Sequence, residues 1–157
     1  MRTVLFVCSG NTCRSPMAEA IARELLARAT RNGSPDILAA SAGVSTVEGQ
    51  PPTPEAVAAL GRLGIEHSGV SKSLTAKMIR RADAIFCMTA AHAAEARRLI
   101  ESEPDQTRKI NTLDPAGDIE DPIGRPQKTY DALARRFKEL IPKRLKEVLG
   151  HEDRAGV

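Results

Sequence analysis

Thr3-Val4-Leu5-Phe6-Val7-Cys8-Ser9-Gly10-Asn11-Thr12-Cys13-Arg14-Ser15-Pro16-Met17 is the stretch on which the fold turns. Residues 3–8 form a short unbroken apolar run, the profile of a strand buried on both faces. The Gly10-Asn11 pair that follows is a turn signal. Ser15-Pro16 then offers an N-cap and a proline at the first helical position. Met17, Ile21 and Leu25 recur at every fourth residue as far as about Ala29, which predicts a helix with one buried face. Asn32-Gly33-Ser34-Pro35 breaks that helix, and Ile37 to Ala42 reads as a second strand stopped by Gly43. A strand, a helix and a strand in this order make a right-handed parallel unit.

Downstream the alternation continues. Val44 to Pro52 is a polar loop, after which Thr53 caps a helix with Pro54 in its first turn and Ala56, Val57 and Leu60 along it. A short helix starts at Leu74-Thr75 and runs through Met78 and Ile79. Ala84 to Met88 is a third buried strand, about Ala90 to Ile100 a helix, and Lys109 to Leu113 a fourth strand. Asp114 to Pro126 carries too many helix and strand breakers for regular structure. The last helix places Tyr130, Leu133, Phe137, Leu140, Ile141 and Leu145 on one stripe, with Pro142 expected to kink or interrupt it. The pattern predicts a single three-layer α/β domain over residues 1–149, with a four-stranded, mainly parallel sheet flanked by helices, then a polar, frayed tail over 150–157. Ligands of such sheets bind at the carboxyl ends of the strands, so residues 8–15 are where a site belongs.

Composition narrows the function. The chain has 157 residues, enough for one sizeable core, and 41% of them are hydrophobic. Lys and Arg exceed Asp and Glu by 23 to 20, too mild a surplus to mark a nucleic-acid or membrane binder. The start lacks the apolar core of a signal peptide and no stretch is long enough to span a bilayer, so a soluble, cytoplasmic protein is expected. Three cysteines are an odd set, pointing away from structural disulfides and toward reduced thiols. His67, His92 and His151 stand singly, without ligand spacing. They read as surface residues, and neither a metal nor another cofactor is expected.

Cys8 and Arg14 bracket the five residues Ser9, Gly10, Asn11, Thr12 and Cys13, between a strand tip and a helix N-terminus. Such a loop is an anion cradle. Its amides turn inward, the helix dipole adds positive potential, and Gly10 and Asn11 tolerate left-handed backbone. Arg14 can grip two oxygens of a tetrahedral anion. The same field is expected to lower the Cys8 pKa and leave a nucleophilic thiolate at neutral pH.

Val7 through Glu19 resembles the signature of the low-molecular-weight protein tyrosine phosphatases. The resemblance extends to Ser41-Ala42-Gly43, Phe86-Cys87-Met88 and Asp118-Ile119-Glu120-Asp121-Pro122, and covers essentially the whole chain. It implies phosphorylated protein substrates and a two-step reaction. Cys8 attacks phosphorus, water hydrolyses the phosphocysteine, and Arg14 with the loop amides of residues 9–13 and Ser15 stabilises the equatorial oxygens. Inorganic phosphate is then product and inhibitor. The family assigns leaving-group protonation to the aspartate of an Asp-Pro pair. Of Asp114-Pro115 and Asp121-Pro122, only the second has the family's spacing to the last helix, which selects Asp121 as acid and then as base toward water. The Ser15 hydroxyl either bonds the Cys8 sulfur or caps the helix, the family implying the first. Asn11 and Ser41 resemble residues that hold the loop rigid. Cys13 resembles a thiol that traps the oxidised nucleophile as a disulfide, which predicts peroxide inhibition reversed by a dithiol. Cys87 reads as core.

The leaving group stays open between phosphoarginine and phosphotyrosine. Phosphotyrosine-specific relatives wall the cleft with aromatic rings, whereas here Ile123-Gly124 follows the Asp-Pro, there is no Trp, and Phe6, Phe86, Tyr130 and Phe137 all fall on predicted core positions. A protein-arginine-phosphatase subgroup carries threonine at the Thr12 position. It also resembles the chain in Ser41 to Val44, Thr53 to Val57, and Met88-Thr89 followed by His92, although it usually keeps an aromatic where Ile123 stands. Thr12 and Ile123 are thus the specificity candidates, and phosphoarginine is favoured. Arsenate reductases on the same scaffold are the alternative class, but they need further cysteines where this chain has only Cys87, and Pro16 departs from their usual glutamine. A nucleotide-binding P-loop is excluded, since no glycine-rich loop ends in Lys-Ser or Lys-Thr.

Overall fold

The N-terminal apolar run becomes an inner strand of the sheet. In the computed structural model, which describes residues 1–31 and 36–155, β1 (Arg2–Cys8) lies between β2 (Ile37–Gly43) and β3 (Ala84–Cys87), and β4 (Ile110–Thr112) pairs with β3. Every pairing in the order β2-β1-β3-β4 is parallel. The expected turn at Asn32–Pro35 and the final residues Gly156 and Val157 lie outside the described residues. Alternation along β1 divides the core between the two faces of the sheet. Val4, Phe6 and Cys8 face the layer of α1 (Arg14–Arg31), α2 (Pro54–Arg62) and α6 (Gln127–Ala155). Leu5 and Val7 face α3 (Ala76–Arg81) and α4 (Ala90–Arg98).

Local chemistry explains where most elements start. Thr53, Thr75 and Thr89 each accept the backbone N–H three residues on, from Ala56, Met78 and His92, and so open α2, α3 and α4. Four expectations need correcting. First, α1 begins at Arg14, so Ser15 lies inside the helix and does not cap it. Second, Leu26 is buried while Leu25 is half-buried, because α1 packs against both β2 and α6 and its buried stripe is wider than a fourfold spacing. Third, one turn of helix, α5 (Pro104–Thr107), occupies a stretch the sequence left irregular. Fourth, α6 is not interrupted at Pro142 and continues past Gly150 to Ala155. Pro142 lies on the exposed face, where water can serve the carbonyl that its missing N–H leaves free. Among the described residues no helix is long and apolar enough to cross a membrane.

Candidate active site

The carboxyl end of β1 delivers Cys8 to the mouth of a loop that closes on the N-terminus of α1. Asn11 supplies the sharp turn at φ 57°, and among the described residues it is the only non-glycine with positive φ. Gly10, which could also tolerate a left-handed backbone, does not adopt it. Asparagine succeeds here because its side chain is bonded on every side. Its Nδ2 donates to Ser15 Oγ (2.8 Å) and Ser41 Oγ (2.9 Å), and its Oδ1 accepts from the Lys72 amide (2.9 Å). Its own amide donates to Cys8 Sγ at 3.3 Å. The loop is also clamped from β2. A Cβ on Gly43 would collide with Thr46 Oγ1 and the Ser9 carbonyl, so only glycine permits that approach.

Hydrogen-bond direction along the network can be read from its far end. Glu19, buried in α1 and paired with Arg23, accepts from the Ser41 hydroxyl at 2.8 Å. Having given its proton to Glu19, Ser41 must accept from Asn11, and the second amide proton of Asn11 goes to Ser15. The Ser15 hydroxyl is left with one proton and one partner, Cys8 Sγ at 2.9 Å, so it donates to sulfur. That favours sulfur bonding over capping as the role of Ser15. Glu19 carries little sign of this role in the sequence. Its signal was a single charge inside the apolar run Pro16-Met17-Ala18-Glu19-Ala20-Ile21-Ala22.

Burial is the largest influence on Cys8 and pushes its thiol above the ordinary value. The hydroxyl and amide of Ser15, the Arg14 charge and the Asn11 amide pull the other way without overcoming it. The lowered thiol expected from the loop's field is therefore corrected. The loss of water around the thiol of Cys8, a residue only 2% exposed, outweighs that field. A prediction follows for Ser15→Ala. Without its strongest opposing contact the thiol rises further, less thiolate exists at a given pH, and the acidic limb of kcat/KM against pH moves upward. A hydrogen bond to a charged sulfur contributes roughly 1.5–3 kcal/mol, so activity below neutrality should fall about 10- to 100-fold. An unmoved limb would return Ser15 to a packing role.

Arg14 is buried and reaches across to the segment before α6. Its Nη1 donates to the Ile119 carbonyl (2.9 Å), and Nη2 lies 3.5 Å from Asp121 Oδ2. Its Nε is buried without a hydrogen-bond partner, a donor left for an anion in the cradle. Cys8, Gly10, Thr12, Cys13, Arg14, Asp121 and Ile123 together line a depression of about 50 Å³. A larger depression of about 440 Å³, lined by Asp118, Glu120, Thr129 and Arg136 among others, contains no cysteine. The other Asp-Pro aspartate, Asp114, is held by Arg136 and the Ala116 amide and does not line the cradle.

The remaining thiols and imidazoles divide differently. Cys13 is buried against Thr53 Oγ1 (3.6 Å) and the Tyr130 hydroxyl (3.7 Å), and burial followed by that thiol pushes Tyr130 up to about 12. Cys87 is a core residue of β3, its thiol pushed up to about 12 by burial. His67 and His92 are not the surface residues expected. The His67 ring is buried 3.6 Å from Glu19, and the His92 side chain is buried beside Ser9. Single-residue spacing carried no sign of either burial. The side chain of His151 falls outside the described ones.

With the cradle in place, comparison with known proteins decides the family. Residues 3–154 match the model of the low molecular weight phosphotyrosine protein phosphatases. The chain belongs to that family. Within it, the chain is 36% identical over 154 residues to a protein-arginine-phosphatase of Geobacillus stearothermophilus, covering 95% of this chain and 97% of the relative. It is 33% identical over 136 residues to the probable low molecular weight protein-tyrosine-phosphatase EpsP of Ralstonia solanacearum, covering 85% and 88%. A solved YwlE arginine phosphatase, a cysteine-to-serine mutant with a phosphorylated active-site serine, superposes with a TM-score of 0.80 at 33% identity, covering 92% of this chain and 95% of that one. Low molecular weight phosphatases are cysteine-dependent protein phosphatases, and this chain is one of them.

Proposed function

We propose that the enzyme hydrolyses phosphoarginine in proteins through a phosphocysteine on Cys8. One observation carries the choice of leaving group. The three Phe and one Tyr of the sequence, its whole aromatic content, are at most 1% exposed, so no ring is available to flank a phosphotyrosine at the mouth. The mouth is instead bordered by Thr12 and the exposed Ile123. The relatives include both arginine and tyrosine phosphatases, and the phosphorylated serine of the YwlE mutant supports a covalent intermediate at the position of Cys8.

In the first step the ionised Cys8 sulfur bonds to phosphorus as the P–N bond breaks, and the departing guanidine takes a proton from Asp121. In the second, Asp121 takes a proton from water as its oxygen attacks phosphorus and the S–P bond breaks, returning the thiolate to the Ser15 donor. Arg14 and the loop amides hold the equatorial oxygens throughout. Asp118 and Glu120 place negative charge beside the guanidino group, while Asp121 carries the proton that it gives up. Inorganic phosphate leaves the same cradle and competes for it. Arsenate reduction finds no support, since Cys87 is buried in β3 and cannot pass a disulfide outward.

The test is kcat/KM for a phosphoarginine-bearing protein and a phosphotyrosine peptide under the same conditions, with Cys8→Ser as blank. The expected result is a preference for phosphoarginine that Thr12→Ile reverses, shifting the ratio about 10- to 100-fold by trading a hydroxyl for apolar bulk. A preference for phosphotyrosine would overturn the proposal and leave a tyrosine phosphatase with an aliphatic cleft.

A further inference from the structure

His92 stands in the first turn of α4, its amide donating to Thr89 Oγ1 at 3.1 Å, and it is only 6% exposed. Its Nε2 lies 2.8 Å from the hydroxyl of Ser9, the residue that follows Cys8 in the cradle. Its Nδ1 is buried without a partner. A neutral imidazole has one N–H and one lone pair, and a buried N–H is the costlier of the two to leave unpaired. The proton therefore belongs on Nε2, which donates to Ser9 Oγ, and Nδ1 keeps the lone pair.

The same short segment grips the acid-bearing strip. The Ala90 amide donates to Asp118 Oδ1 at 2.8 Å, and the Met88 carbonyl accepts from the Ile119 amide at 2.9 Å. Residues 88–92 thus hold the nucleophile's loop on one side, through His92 and Ser9, and the Asp118–Asp121 strip on the other. Beside Arg14, whose bond to Ile119 crosses the cradle itself, this is a hydrogen-bonded route that holds the two halves of the site at their spacing. An in-line reaction depends on that spacing, because misplacement of about 1 Å can cost 10²-fold.

We propose that His92 is a positioning residue for phosphoryl transfer, its neutral Nε2–H holding Ser9 so that Cys8 and Asp121 face each other across the phosphoryl group. The proposal rests on the phosphatase chemistry above. The charged groups facing His92 are Arg14 from the cradle and Asp118 and Asp121 from the strip. Burial and Arg14 push its pKa below that of an ordinary histidine, and the two aspartates pull it up. Protonation would place a second buried proton on Nδ1, where no acceptor stands, so the neutral ring is the working form. His92 then adds its own ionisation to the acidic limb of the pH profile.

The experiment compares His92→Gln, which keeps a donor near the Nε2 position but does not titrate, with His92→Leu, which keeps bulk and no donor. Each is assayed for kcat/KM across pH on p-nitrophenyl phosphate and on phosphoarginine. His92→Leu is expected to lose about tenfold, the worth of one hydrogen bond. That loss should fall on kcat and be larger for phosphoarginine, whose leaving group depends on Asp121. His92→Gln should recover most of it at neutral pH while making the acidic limb shallower. Ser9→Ala should match His92→Leu, and the double variant should be no worse than either. Should His92→Leu fail to fold, Ser9→Ala and His92→Gln carry the comparison. Equal losses in the Gln and Leu variants, an acidic limb unchanged in His92→Gln, or additive losses in the double variant would overturn the proposal. Failure of the phosphatase reading would look different, as the absence of Cys8-dependent turnover in the unaltered enzyme.

Discussion

Cys8→Ser should lower turnover by about 10⁴-fold or more and leave the enzyme carrying a phosphoryl group that it cannot release. The argument lies in the two roles that sulfur plays. As nucleophile, a thiolate is far easier to form than an alkoxide, even with burial holding the Cys8 thiol above its ordinary value. As leaving group in the second step the contrast is sharper, because the S–P bond breaks to a thiolate that Ser15 and Asn11 already stabilise by hydrogen bonds at 2.9 and 3.3 Å. An alkoxide in the same place is a much worse leaving group, so a serine that is slowly phosphorylated stays phosphorylated. Intact-mass measurement after incubation with a phosphoarginine protein should show a single phosphoryl adduct, with about one equivalent of phosphoarginine consumed and no inorganic phosphate released. The fold should survive, since a serine hydroxyl fits the Cys8 position and can still meet the Ser15 hydroxyl. Turnover within tenfold of the unaltered enzyme would remove Cys8 from the reaction.

The parts of this site legible in the sequence are those whose physics is local. The apolar run of β1 pointed to a buried strand, Thr53 and Thr75 announced the starts of α2 and α3, and Cys8 and Arg14 bracketed a loop that reads as an anion cradle. What remained hidden depends on neighbours distant in the chain. Glu19 is an ordinary helical glutamate until Ser41 from β2 arrives beside it, and only then does it orient the hydrogen bonds as far as Cys8. His92 lies 83 residues from Ser9, and neither residue alone suggests the other. Asn11 and Gly10 were equally suited to the left-handed position, and the side-chain bonds of Asn11 explain why it takes the turn. The rise of the Cys8 thiol followed the same logic. The loop's attraction for negative charge could be seen in the residues that form it, whereas the desolvation that opposes it exists only once α1 and the sheet have closed around the sulfur.

Asp121→Asn should lower kcat/KM on phosphoarginine by about 10²–10³-fold and on p-nitrophenyl phosphate by less than about tenfold. A guanidine leaves phosphorus only with a proton, whereas p-nitrophenolate departs unaided, so a residue whose role is to supply that proton is exposed by the difference between the two substrates. Asparagine is the informative replacement because it keeps the shape of the side chain and its contact with the Ile123 amide while removing the transferable proton. Its amide oxygen can accept from the Ile123 amide, as Asp121 Oδ1 does at 3.1 Å, and only the contact of Oδ2 with Arg14 Nη2 is given up. A loss arising from a displaced strip would therefore strike both substrates alike. The second step separates the roles further. If Asp121 is also the base toward water, kcat should fall on both substrates while phosphocysteine accumulates, giving a burst of p-nitrophenol equal to the enzyme present. Asp118 and Asp114 offer no ready substitute, the first committed to the Ala90 amide and the second to Arg136. Equal losses in kcat/KM on the two substrates would transfer the proton donor to another group and leave Asp121 as a partner of Arg14 alone.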